Sequence, residues 1–343
     1  MEADPKPDPK STKSKILIIR FSSIGDIVLT TPIIRALKNQ IPNVEVHFLT
    51  KERNAIIVAN NAYLEKIHTF KTSPSEILTE LRQEHFSHVV DLQKNLRSLT
   101  LALRLRRPYS TFPKINIRKW LLTTFKLDFM PPIHVVDRYF RAVRNLNVSN
   151  DGMGLDYHLS DDDFDSVNNL PQNFDTGFVA VACGSQHATK QLPTDMLVNL
   201  CSEIKYPIVL LGDKNDRNKA IEIENQIGAK IFNACGVFNL SQTAAIVSKA
   251  DLILTGDTGL MHIAAALHTN IVAVWGNTTP KFGMSALKPD NTDFEVCNFE
   301  VEGLKCRPCS KLGYSKCPKN HFKCMKEQNI TLIAQTINRI ISR

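Results

Sequence analysis

Three short loops concentrate residue types that can hold or act on a phosphorylated ligand. The first, Arg20-Phe-Ser-Ser-Ile-Gly-Asp26, offers the hydroxyls of Ser22 and Ser23 and a Gly25 that permits close backbone approach. Asp26 stands where a helical stretch begins, so its carboxylate either caps free helix N–H groups or works on a ligand. The second, Cys183-Gly-Ser-Gln-His-Ala-Thr-Lys-Gln-Leu-Pro193, carries Ser185, Thr189 and Lys190, whose hydroxyl and ammonium groups suit a phosphate. In the third, Thr255-Gly-Asp-Thr-Gly-Leu-Met-His262, a helix is expected to start near Thr258 or Gly259. Its free N–H groups and positive dipole end form an anion site. Gly256 and Gly259 would let the backbone approach a diphosphate, Asp257 would accept from a sugar hydroxyl, and His262 lies one turn further in. Neither G-x-G-x-x-G nor G-x-x-x-x-G-K-[ST] occurs, so a dinucleotide cofactor and a P-loop are not supported.

Each loop follows an apolar run that reads as a buried parallel strand. Strands are expected at 15–20, 44–49, 66–70 and 88–92, then at 178–182, 208–211, 252–255 and 271–275. Helices are expected at 27–40, 75–83 and 96–105, then at 194–204, 215–227, 240–249 and 260–267. The alternation implies parallel sheets with crossover helices. A polar, turn-rich stretch around 150–176 separates two such units, and the triple aspartate 161–163 reads as a helix start. The expected organisation is a disordered tail 1–14, an N-terminal domain 15–165, a C-terminal domain 175–328 and a final helix 329–343. Ligands of open α/β sheets bind beyond the carboxyl ends of the strands, where all three loops lie.

With 43% hydrophobic and 22% charged residues, the 343-residue chain has an ordinary globular composition. No apolar run approaches the roughly 18 residues that span a bilayer, and the polar first residues lack a signal-peptide core. A cytoplasmic protein is expected. The net charge of +8 favours an anionic partner. No nucleic-acid recognition motif is present, so nucleic acid is not expected. Cys306-x2-Cys309-x7-Cys317-x6-Cys324, with His321 nearby, has spacing compatible with a structural zinc or iron site, or with reduced packing thiols.

Arg20 to Pro32 (RFSSIGDIVLTTP) resembles the N-terminal signature of glycosyltransferase family 9. His187 to Pro193 (HATKQLP) and Gly256 to Leu267 (GDTGLMHIAAAL) resemble that family's donor-site motifs. The resemblance implies a GT-B fold, in which two Rossmann-like parallel-sheet domains face a central cleft. It also implies inverting transfer of heptose from ADP-heptose to the inner core of lipopolysaccharide, with no cofactor needed for catalysis. Asp26 would be the general base. Ser185, Thr189, Lys190, Asp257, Thr258, Gly259 and His262 would bind the ADP-sugar donor. Ser22, Ser23, Gly25, Arg97 and Arg104 would meet the acceptor, an anionic lipid A–Kdo type molecule at the inner membrane surface. The protein would then sit peripherally at that membrane. One departure from the family pattern is Asn277, where proline is common, and this leaves base preference less determined than chemistry. Another donor sugar, a protein acceptor, or a non-catalytic nucleotide-sugar-binding protein remain as alternative readings.

Overall fold

A computed structural model describes residues 14–342. The run SKILII forms β1 (Ser14–Ile19), apolar on both faces and therefore central. Around it lie β2 (Val44–Lys51), β3 (Lys66–Phe70), β4 (His88–Asp91) and β5 (Tyr109–Thr111), in the order β3-β2-β1-β4-β5. Every pairing is parallel. The second sheet contains β6 (Val179–Ala182), β7 (Ile208–Leu211), β8 (Ile231–Asn233), β9 (Leu252–Gly256), β10 (Asn270–Trp275) and β11 (Val296–Glu300). Its order is β11-β10-β9-β6-β7-β8, again all parallel.

The helix expected over 27–40 is two helices, Ile24–Val28 and Thr31–Gln40. Pro32 has no N–H to give the Val28 carbonyl, and the Thr31 hydroxyl takes that carbonyl instead at 2.8 Å. The Thr30 hydroxyl likewise bonds the Ile27 carbonyl at 2.7 Å. This break lets the short first helix point its N-terminus into the cleft while the second packs on the sheet. The expected tail 1–14 falls outside the described residues except for Ser14, which is the first residue of β1.

Arg35 holds the chain that leaves the first sheet. It binds Asp151 through Nε at 2.7 Å and Asp156 through Nη1 at 2.5 Å. The triple aspartate does start a helical turn, Asp161–Phe164, whose capping box pairs Ser160 with Asp163. By Ser166 the chain is already on the second unit, where its hydroxyl meets the Gln242 carbonyl at 2.8 Å. The final helix, Ile330–Ile341, buries Ile333, Ala334, Ile337 and Ile340 in the core of the second sheet. No described helix is long and apolar enough to cross a membrane.

Candidate active site

β1 delivers Arg20 and the loop to Asp26 at its carboxyl end. Arg20 is buried; it donates from Nη1 to the Leu92 carbonyl and from Nε to the Ser22 carbonyl at 3.0 Å. Its Nη2 meets Asp26 Oδ1 at 2.7 Å. The other oxygen, Oδ2, accepts from the Ser23 hydroxyl at 2.8 Å and the Ser23 N–H at 3.2 Å. Ser23 is therefore the N-cap, and Asp26 completes a capping box from the third helical position. Burial alone would raise the Asp26 pKa, but the Arg20 charge and the Ser23 bonds outweigh it and hold the carboxyl below its ordinary value. The result is a carboxylate of fixed orientation at the cleft that is ionised at neutral pH.

The second and third loops meet through Lys190 Nζ and Asp257 Oδ2, 2.6 Å apart. Thr278, from the loop after β10, donates its hydroxyl to the same carboxylate oxygen at 2.8 Å. Thr258 is the N-cap of the helix Gly259–Ala266, yet no side chain caps the helix's free N–H groups. The Thr258 hydroxyl pairs instead with Thr255 at 2.9 Å. An uncapped helix N-terminus beside a lysine is equipped for a diphosphate. Ser185 closes its own loop, accepting from Gln191 Nε2 through its carbonyl at 2.7 Å. Thr189 departs from the expected role: it is buried, and its hydroxyl donates to the Tyr314 carbonyl at 3.2 Å and accepts from the Tyr314 N–H at 2.8 Å. With its proton and one lone pair used in a buried site, that hydroxyl clasps the cysteine-rich segment.

Gly25 and Gly259 bring the two halves together. A Cβ on Gly25 would sit 2.5 Å from His262 Cδ2, and one on Gly259 would sit 2.8 Å from Ile24 Cγ2. His262 is thus wedged in the seam between the domains. It is buried, its Nδ1 has no partner, and burial pulls its pKa down to about 4, so it is neutral at pH 7. The charges of Asp257, Asp26 and Lys190 all reach it.

Of the expected acceptor residues, Ser22 is half-buried and Ser23 and Arg97 are exposed at the cleft edge of the first sheet. Arg104 is not there. The helix Leu96–Leu105 runs from the end of β4 back toward the start of β5, so its last turn lies at the opposite edge of the sheet. The Arg104 carbonyl accepts from Arg82 Nη2 at 3.0 Å, far from Asp26 in the topology. Arg104 is therefore removed from the site.

The structure gives a place to three more residues, of which Asn277 was already marked by its departure from the family pattern. Arg138, on the helix Val135–Val143, is 2% exposed and reaches no carboxylate. Its Nη2 donates to the Phe282 carbonyl at 3.1 Å, and its Nε has no partner. Lys119 lies over the Phe282 ring at 5.4 Å, and burial, with repulsion by Arg138, lowers its pKa to about 8. Asn277 is 1% exposed, with both amide atoms unpartnered. Buried polar groups are nearly always satisfied, so unsatisfied ones around a cleft mark where a ligand or ordered water completes them. The signal in the sequence for Arg138 was a lone cation within an apolar helical stripe, a pattern equally usual for a surface helix.

Cys306, Cys309, Cys317 and Cys324 are all free thiols in the segment between β11 and the final helix. Cys306 Sγ lies 3.8 Å from His321 Nε2. Among the described residues, however, the only group of three or more metal-binding side chains that converges within 4.8 Å is His47, His68 and Glu84. The four cysteines lie near enough to act on one another's charge, but no three of them converge to that distance. Nor does that histidine group invite a cation, because Glu84 already holds Lys15 at 2.9 Å and Lys66 at 2.7 Å.

Comparison with known proteins agrees with this architecture. The model of glycosyltransferase family 9 (heptosyltransferase) matches residues 76–311. Lipopolysaccharide heptosyltransferase 1 of Campylobacter coli is 23% identical over 77% of this chain and 84% of its own length. The solved glycosyltransferase family 9 protein of Veillonella parvula superposes with a TM-score of 0.75 at 19% identity, covering 100% of this chain and 99% of that one. E. coli ADP-heptose lps heptosyltransferase II superposes with a TM-score of 0.73 at 18% identity, covering 96% and 98%. With the family model spanning well over half of the sequence and two facing parallel-sheet domains beneath it, this chain belongs to glycosyltransferase family 9 and is a glycosyltransferase of GT-B fold.

Proposed function

We propose that the chain moves heptose from ADP-heptose to the inner core of lipopolysaccharide in a single inverting displacement. The observation that carries this reading is the pairing, across one seam, of an ionised and fixed Asp26 with an uncapped helix N-terminus and Lys190. In the reaction the acceptor hydroxyl oxygen bonds to the anomeric carbon as the bond from that carbon to the diphosphate breaks. Asp26 takes the hydroxyl proton, and the electron pair leaves with ADP. Lys190 exchanges Asp257 for the departing diphosphate, joined by the N–H groups at the start of Gly259–Ala266. Asp257, Thr258 and the wedged His262 position the nucleotide-sugar. No step calls for a cofactor.

The acceptor is anionic and lipid-linked in this reading. Arg138 is a buried cation and Lys119 a half-buried one, neither in an ion pair among the described residues, and an acidic sugar would complement both. Ser22, Ser23, Gly25 and Arg97 border the same opening. Asn277, buried with both amide atoms unpartnered, bears on which nucleotide base the donor carries, and another donor is the alternative reading.

Two measurements test the reading. Asp26→Asn should cut turnover by at least ~100-fold, the low end for general acid–base groups, while the ADP-induced rise in melting temperature persists. Near-normal turnover would remove Asp26 from the role. In a thermal-shift panel of ADP, UDP, GDP and CDP, selective stabilisation by ADP supports ADP-heptose. A preference for UDP or GDP keeps the transferase and discards heptose, and no shift with any of them favours a protein that does not transfer.

A further inference from the structure

We infer that the outer faces of the helices Leu96–Leu105 and Asn116–Phe125 form a docking surface for an anionic lipid bilayer. The function proposed above gives this surface its purpose, a lipid-linked acceptor, but the observations for it are separate. Each helix turns one stripe to the core and leaves an apolar stripe outside. On the first, Leu96, Leu99 and Leu103 recur at helical spacing, with Leu96 78% and Leu103 66% exposed. On the second, Ile117 is 74% exposed, and Trp120 and Phe125 pack edge to face at 5.1 Å with about half their surface free. Apolar side chains of this size seldom stand together in water unless something covers them.

Two bonds place the starts of the stripes side by side. Lys94 Nζ donates to the Phe112 carbonyl at 2.8 Å, and Lys114 Nζ donates to the Lys94 carbonyl at 2.9 Å. Both helices therefore spring from the cleft edge of β4 and β5, with Leu96 and Ile117 one residue and two residues inside their N-caps. Lys119, on the second helix, points to the cleft and not to the outer stripe.

Charge selects the occupant. Between residues 92 and 127 there are four lysines and five arginines and neither aspartate nor glutamate. An acid-free basic stretch with an apolar outer face matches the headgroup and acyl boundary of an anionic leaflet. A tryptophan at that boundary is in its preferred place. A second copy of this chain would instead bring the same cations face to face, and a protein partner would need a dense acidic surface to match them.

The protein carries its own reporter. It has two tryptophans, and Trp275 is 1% exposed, so a change on docking reads from Trp120. Vesicles containing phosphatidylglycerol should co-sediment the full chain, shift the emission of Trp120 to the blue and shield it from acrylamide. Pure phosphatidylcholine vesicles should do neither. The variant Leu96→Ser/Leu103→Ser/Ile117→Ser should weaken vesicle binding by at least about tenfold. It should keep its melting temperature, its stabilisation by ADP and its rate on a delipidated acceptor. Equal vesicle binding by the variant, or none by the wild-type chain, overturns the inference. So does a wild-type dimer in light scattering that the variant dissolves, which would assign the face to self-association. Should the triple variant melt early, Leu103→Ser alone and the acrylamide quenching of Trp120 in the wild-type chain decide. Because vesicle binding is read without donor, acceptor or turnover, its failure leaves the transferase reading standing, and an absent ADP shift leaves the docking face standing.

Discussion

At the scale of the residue, the site is defined by groups that protein atoms leave incomplete. Arg138 is a buried guanidinium with no carboxylate, and Lys119 shares its surroundings. A lysine pushed down to about 8 loses its charge as pH rises through that value, where an ordinary lysine keeps it. Acceptor KM should therefore rise above pH ~8 while donor KM stays flat. In Lys119→Met the acceptor KM should be high at all pH and the rise should vanish. An unchanged profile in that variant would assign the alkaline limb to another group. The sequence showed Lys119 only as one cation of a basic stretch; its half-burial beside Arg138 and over the Phe282 ring was not legible there. Asp26 was legible by position. What the sequence could not supply was that Arg20 and Ser23 fix both of its oxygens, because that depends on β1 turning the two ends of one loop toward each other.

At the scale of the element, long apolar runs were legible and short edges were not. The strands β1, β2, β4, β6, β7, β9 and β10 are buried runs that announce themselves. The missed strands β5, β8 and β11 are all outermost in their sheets; the first two have only three residues each, and β11, though five long, has no buried residue and so no apolar run. A helix start near Thr258 or Gly259 was foreseen, and one beside Asp26, though placed at Ile27 and not at Ile24; their mutual contact was not. That contact depends on two missing side chains. Gly25→Ala would put a methyl 2.5 Å from His262, and Gly259→Ala one 2.8 Å from Ile24, so each must separate the helices. Reacting groups displaced by about 1 Å lose on the order of 100-fold in rate. Either variant should lose turnover on that scale and also melt somewhat earlier, since one apolar cluster runs from the first sheet through this contact into the second. A large fall in melting temperature with unchanged turnover would show that the close approach serves stability and not the seam.

At the scale of the whole molecule, the domains are joined by polar struts around the glycine contact. Val135 N–H donates to the Gly283 carbonyl at 2.7 Å, Lys281 pairs with Asp128 at 2.7 Å, and Lys126 Nζ donates to the Pro308 carbonyl at 2.7 Å. His262 sits inside this ring as a neutral base that water does not reach. The sign of its effect follows from linkage. Its folded pKa of about 4 lies below the ordinary 6.5, so the unfolded chain takes the proton first. Stability is fully present above pH 6.5 and is lost as pH falls toward 4, by an amount on the order of 3 kcal/mol for so large a depression. His47, His68, His88 and His134 are also depressed by burial and steepen the wild-type slope. The difference between His262→Asn and wild type isolates the one residue. Unfolding in urea, followed by Trp275 in a Trp120→Phe background, reads the second domain, where His262 resides. The gap between variant and wild type should narrow steadily between pH 6.5 and pH 4, since only the wild type has this proton to take up. A gap constant with pH would mean that His262 takes up its proton alike in the folded and unfolded chain, so that burial in the seam does not hold it neutral.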